Sequence, residues 1–427
     1  MTNKKKLWLA FAPVLFAFLL AYGVLHIDWT KKYNKQTLYR ASISQNDTVY
    51  KGEAVKNEAF KHYYVPFYGS SELSRIDALH PSVVAKKYKF KNKPFLLGSA
   101  GTQSLVNYMS MQGSANQLRH KKIVVIVSPQ WFTTHGQLPN AFEVFYSPLQ
   151  MTNFLLQANS KNEADRYAAA RFASMPGPKG LVLNSLNKIA NGKKLSSIDT
   201  WRLQQLNDSL ANQDKFFSTI QLRDRRKLVK RGTKHLPKKY SVEDLDRVAN
   251  RLGKKGTSNN NLGIRNKFYT QRLTPDVLKR MKGKQRKLNY VKSPEYSDFE
   301  LMLNQFAKQD SDVLFIIPPV NAKWMKYTGL SQDMLDKTIT KIKTQLISQG
   351  FGNIADLSQN GNKKYYMEDT IHLGWRGWVD VDKAVSKFMK TKRTSEHYSM
   401  NNYFYNQQWQ ERSQFKTGKM IPNLKAK

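Results

Sequence analysis

With 427 residues, 40% of them apolar, the chain is long enough to bury a sizeable core, which excludes a disordered polymer. Lys and Arg number 70 against 31 Asp and Glu, a formal charge of +39, so a polyanionic partner or an anionic surface is expected. The absence of cysteine removes disulfides, thiolate metal sites and cysteine nucleophiles together.

In chain order, Lys4, Lys5 and Lys6 precede a run of uncharged, largely apolar residues from Leu7 to Leu25. Such a run is long enough for a bilayer core of about 30 Å at about 1.5 Å per helical residue. It predicts a transmembrane helix over 7–27, with residues 1–6 cytoplasmic and everything from 28 outside. Tyr22 and Trp29 fall where interfacial aromatics lie. The competing reading is a cleaved signal peptide with Ala21 and Gly23 at the cleavage point, but the run exceeds the usual apolar stretch of about 7 to 15 residues.

Five short apolar runs then read as buried parallel strands: YYVPFYG ending at Gly69, PFLLG ending at Gly98, KIVVIVSPQ through Gln130, DVLFIIPP through Pro319 and GNIADLS through Ser358. Helical spacing appears at 102–116 (Leu105, Tyr108, Met109, Met111), around Phe299 to Phe306, and from Ser331 to Gly350, which opens on a serine cap and closes on glycine. The alternation predicts an α/β fold, a doubly wound five-stranded parallel sheet. A long, mostly helical insertion is expected at about 140–290, with breaks at MPGPKG and GKKGTSNNNLG. Its later part is densely basic; Arg225, Arg226, Lys230, Arg231, Lys238 and Lys239 either form a solvated face or touch an anionic polymer. The resulting plan is an extracellular domain over 28–390 followed by a basic, aromatic tail, 391–427, for which the sequence offers no firm account.

Ligands of an open parallel sheet bind at the carboxyl ends of its strands. Ser70 and Ser71 leave the first strand, Gly98 and Gly101 follow the second, Gln130 follows the third, and Asp369 and His372 stand in MEDTIHLGWRGW after the fifth. Serine needs a base to become a nucleophile, the base needs a carboxylate to fix its tautomer, and the oxyanion needs nearby N–H donors, so this set suits acyl transfer. Trp131, Trp375 and Trp378 would frame it with low polarity. Each element has a plainer reading: Gly-Ser-Ser as a turn or helix cap, D-x-x-H as chance, Gly98 as a tight turn. The other histidines lack metal-site spacing, and no phosphate loop or dinucleotide fingerprint is present, so neither metal nor cofactor is implied.

YGSSELS, FLLGSAGTQS, VSPQWFT, SNNNLGIR and DTIHLGWRGW, on a chain with one expected N-terminal membrane helix, together closely resemble the DltD proteins of Gram-positive D-alanyl-lipoteichoic acid synthesis. Those proteins look like divergent SGNH hydrolases, whose first block reads Gly-Asp-Ser and whose last reads Asp-x-x-His. The resemblance implies Ser71 as nucleophile, His372 as base and Asp369 as orienting acid, with Ser70 as the alternative nucleophile because it replaces the block's aspartate. For the oxyanion it implies the Ser71 amide with Gly98 or Gly101, and Gln130 where asparagine is usual. It further implies a membrane-anchored acyltransferase that passes D-alanyl esters to the glycerol phosphate polymer. The implied partners are the membrane-bound O-acyltransferase DltB, the carrier protein DltC, the small membrane peptide DltX, and lipoteichoic acid as acceptor. A surface esterase with the same residues and a non-catalytic polymer- or carrier-binding protein remain as alternatives. Nucleic-acid binding fits the charge but conflicts with the outward topology.

Overall fold

The computed structural model describes residues 3–26, 32–220, 222–392 and 398–414. Each of the five apolar runs forms a strand: β1 is Tyr64–Tyr68, β2 Lys93–Leu97, β3 Lys122–Ile126, β4 Asp312–Ile317 and β5 Ile354–Asp356. They make one sheet of order β2-β1-β3-β4-β5, and every pairing is parallel. The order reverses between β1 and β3, which opens a crevice beyond their carboxyl ends.

Alternate side chains of the strands feed two separate cores. Tyr64, Tyr68, Ile123, Val125, Val313, Phe315 and Ile317 point to one face, and Val65, Phe67, Val124, Ile126, Leu314 and Ile316 to the other. Both faces are buried, and this is why the strands read as unbroken apolar runs. The first face is covered by the helices Ser104–Met111, Glu295–Lys308 and Gln332–Ile347. Ser331 caps the last of these through its side chain, which accepts from the Met334 amide. The second face is covered by Pro81–Lys87 and Trp375–Lys390.

The chain between β3 and β4 is largely helical, and it wraps the sheet on both sides. Its earlier helices deliver Phe142, Phe154, Phe172 and Leu203 to the first core; its later ones deliver Val229, Leu245 and Ala249 to the second. A third small cluster joins Ile264 and Leu273 of this segment to Trp324. The helix Val242–Gly256 runs through the first half of GKKGTSNNNLG, where the sequence suggested a break. A Cβ at Gly253 would stand 2.3 Å from the Tyr365 Cβ, and one at Gly256 2.6 Å from the Trp375 ring, so these glycines permit close packing and the turn begins after them.

Residues 398–414 return to the first core, where Phe404 and Trp409 are fully buried. The remainder of the expected tail, 393–397 and 415–427, lies outside the described residues. At the other end, the helix Asn3–His26 is 24 residues long, and its described apolar side chains, such as Trp8, Leu9, Phe11 and Phe18, are exposed. Among the described residues no helix is long and apolar enough to cross a membrane. The span expected over 7–27 reaches beyond them at Ile27.

Candidate active site

β1 is followed by Gly69, whose amide donates to the Leu97 carbonyl and so extends the ladder by one residue. The chain then turns sharply into a 3-10 turn, Ser71–Ser74, with Ser71 at its first position. The turn is pinned from within: the Ser70 amide donates to Glu72 Oε1 at 2.6 Å, and the buried Glu72 carboxyl is pushed up by desolvation. Gly98 packs directly behind it. A Cβ there would meet the Gly69 carbonyl carbon at 2.7 Å, so only glycine lets the β2 exit lie against the serine turn.

The second half of the site follows β5. Met367 and Leu373 form an antiparallel bridge, and the Glu368 amide donates to the His372 carbonyl at 2.9 Å, which closes residues 367–373 into a tight loop. At its tip the Asp369 carboxylate accepts from the amides of Ile371 and His372, both at 2.9 Å, and from His372 Nδ1 at 2.9 Å. This is the use of the D-x-x-H spacing: the aspartate folds back on its own loop and on the ring three residues later.

Asp369 is fully buried. Burial alone would raise its pKa, but the hydrogen bond and charge of His372, the charge of Arg75 and the loop amide together hold it below the usual aspartate value. An ionised carboxylate can only accept, so Nδ1 carries a proton, and in the neutral imidazole Nε2 is then the acceptor. The Ser71 hydroxyl lies 2.7 Å from that Nε2. Hydroxyl, imidazole and carboxylate therefore form one hydrogen-bonded chain from segments 301 residues apart, with Ser71 at the solvent-facing end.

The remaining expected residues are distributed as follows. Ser70 turns away from the imidazole and donates to the Ser99 carbonyl at 3.1 Å. Gly98 accepts Gln45 Nε2 on its carbonyl at 2.6 Å; Gly101 adopts φ +94° and accepts Gln137 Nε2 at 3.0 Å. Gln130 accepts the Ser128 hydroxyl at 2.6 Å on its side-chain oxygen, while its buried Nε2 has no hydrogen-bond partner among the described residues. Neither Gly98, Gly101 nor Gln130 is hydrogen-bonded to the Ser71 hydroxyl. The tryptophans split between the cores, Trp131 in the first and Trp375 and Trp378 in the second.

The basic segment divides in two. Arg225 is partly buried and donates to Gln45 Oε1 at 2.5 Å and to the Ser74 carbonyl at 3.2 Å, so it braces the serine turn from behind. Arg226 pairs with Asp224 at 2.7 Å. Lys230, Arg231, Lys238 and Lys239 are exposed, as a polyanion contact requires.

The family model described as DltD protein matches residues 42–390. A relative named Protein DltD from Lacticaseibacillus rhamnosus is 46% identical, covering 96% of this chain and 97% of the relative. The chain belongs to the DltD family. Proteins of the same name from Bacillus subtilis (strain 168) and Staphylococcus aureus (strain NCTC 8325 / PS 47) are 32% and 30% identical. They cover 90% and 89% of this chain, and 98% and 96% of their own lengths.

In this DltD-family chain, four charged residues around the site escaped the sequence reading. Arg75 reaches Asp369 Oδ2 at 2.8 Å and Glu368 Oε1 at 3.3 Å. Arg265, the last residue of SNNNLGIR, reaches Glu368 and Asp77, both at 3.3 Å. Burial pushes the Glu368 carboxyl up to about 7, against the opposing charges of Arg265 and Arg75. Arg75 stands just past the Ser71–Ser74 turn, four residues after Ser71, and that nearness is the available signal; only the fold brings Arg265 to Glu368.

Proposed function

We propose that the chain is a membrane-anchored acyltransferase that uses Ser71, His372 and Asp369 to pass D-alanyl groups to a glycerol phosphate polymer. The DltD family acts in D-alanylation of teichoic acids, and that supplies the acyl group and acceptor in this reading. The observation that carries the chemistry is the 2.7 Å contact between the Ser71 hydroxyl and His372 Nε2, with Asp369 behind the ring.

In the first half-reaction Ser71 Oγ attacks the carbonyl carbon of an activated D-alanyl ester or thioester while its proton passes to His372 Nε2. The tetrahedral intermediate places negative charge on the former carbonyl oxygen, to be met by the Ser71 amide and the free Gln130 Nε2. Collapse breaks the bond to the donor's oxygen or sulfur, which takes the proton from His372 and departs, leaving a D-alanyl ester on Ser71. In the second half a polymer hydroxyl gives its proton to His372 and attacks that ester; Ser71 recovers the proton as the product leaves. With water in place of the polymer hydroxyl, the same steps describe an esterase.

The anchor in this reading rests on the sequence run Leu7 to Leu25 alone, since no described helix is long and apolar enough to cross a membrane, and the +39 charge suits a polyanionic acceptor. DltB as donor, with DltC and DltX in the same pathway, completes the proposal. It is tested by incubating the full chain with a labelled D-alanyl ester donor and acceptor polymer. Label on Ser71 and then on polymer is expected; label only in free alanine establishes the esterase, and absence of label from both serine and product rejects catalysis.

A further inference from the structure

A recess of about 240 Å³ opens beside the loop that carries Asp369 and His372. Part of SNNNLGIR forms one wall, through Asn260, Asn261 and Leu262; residues 361–365 form the other, and Asn321 lies at its base. Asn321 ties the recess to the site. Its side-chain amide donates to the Asp369 carbonyl at 3.2 Å and to the Leu262 carbonyl at 3.1 Å, while its backbone amide donates to the Thr370 carbonyl at 3.1 Å.

The polar groups of the recess divide into two kinds. The asparagines hold the walls: Asn260 Oδ1 accepts from the amides of Leu262 and Ile264, and Asn321 Oδ1 caps the helix Ala322–Thr328. Three exposed lysines supply charge instead. Lys323 uses one ammonium proton on the Asn261 carbonyl at 2.9 Å and keeps two. Lys363 lies over the Tyr366 ring at 5.7 Å, and Lys364 has no hydrogen bond or ion pair among the described residues. No carboxylate lines the recess.

Three cations without a counter-charge, around a cavity smaller than the roughly 300 Å³ at which drug-sized pockets begin, suit a compact anion repeated along a flexible chain. We propose that this recess is a subsite for a phosphodiester group of the acceptor polymer, seating one repeat unit so that a neighbouring hydroxyl is delivered to Ser71. The proposal rests on the transferase reading and adds to it where the polymer is gripped. A phosphatidylglycerol headgroup presents the same chemistry from another source.

The test uses the full chain in detergent, a fluorescent glycerol phosphate oligomer read by anisotropy, and phosphatidylglycerol vesicles as the second arm. Lys323→Gln/Lys363→Gln/Lys364→Gln is expected to weaken oligomer binding by about tenfold and to flatten its salt dependence. Lys179→Gln/Lys193→Gln/Lys194→Gln, exposed and outside the recess, should change it less than about threefold. Lys364→Glu alone, on an exposed side chain, should weaken it in the same direction. Unchanged oligomer affinity in the recess variants overturns the subsite, and so does a loss confined to vesicles, which would assign the recess to lipid. Labelling of Ser71 in the unmodified chain is scored separately: its failure overturns acyl transfer, whereas the binding result alone decides the recess.

Discussion

Ser70 and Ser71 carry the same side chain one residue apart, and the fold separates them by where each hydroxyl goes. One is spent on the Ser99 carbonyl; the other meets His372. Ser71→Ala and His372→Ala are therefore expected to lower D-alanyl transfer by about a thousandfold or more, while Ser70→Ala retains most of it. The measurement is acyl transfer by membranes carrying each variant at equal protein level, and a null Ser70→Ala with active Ser71→Ala would reverse the assignment. Arg75 supports a second expectation. Asp369 is held below its ordinary value partly by that guanidinium, so its charge persists as pH falls. Removing Arg75 raises the Asp369 pKa, and the ionised form that orients the imidazole is then lost at a higher pH. Arg75→Gln should accordingly move the acid limb of the kcat/KM profile toward neutrality, with Arg75→Lys in between; an unmoved limb would leave Arg75 a purely structural role.

Elements join these residues by close backbone approach, most sharply where β2 ends. Gly98→Ala places a methyl against the Gly69 backbone and Leu73 Cδ1, and backbone cannot rotate away. A loss of about 1–3 kcal/mol in urea unfolding is expected, together with reduced transfer, because the displaced segment is the serine turn. The strands were legible in the sequence because burial on both faces leaves each as a continuous apolar run. Ser71, Asp369 and His372 were legible for a related reason: strand exits gather at one edge, and D-x-x-H closes on itself through the Asp369 carboxylate. Contacts across long separations were not. Arg225 looks in sequence like any other charge of a basic run, yet it braces the Ser74 carbonyl from 151 residues away. Glycines of Val242–Gly256 likewise read as a break, since nothing local reveals that Tyr365 and Trp375 require the space.

Across the whole molecule, both cores depend on chain that is distant in sequence. The segment 398–414 shows this most plainly. Lys341, buried in the helix Gln332–Ile347, donates to the carbonyls of Gln410 and Arg412 at 3.1 and 3.0 Å as well as to Val291 at 2.8 Å. The Trp409 indole donates to Gln345 Oε1 at 3.1 Å, and Tyr398 stacks on Phe351 with ring centroids 4.2 Å apart. Truncation after Thr391 uncovers Phe351, takes two carbonyl partners from Lys341 and the indole donor from Gln345, and removes two fully buried aromatics. A loss of at least about 5 kcal/mol is expected, read as a lower urea midpoint, and a truncated chain with an unaltered midpoint would contradict it. This arrangement also orders events in time. During synthesis a chain made only as far as Thr391 has all five strands but holds Phe351 and Gln345 open to solvent. Closure of the first core on that side thus waits until residues 398–414 have been made.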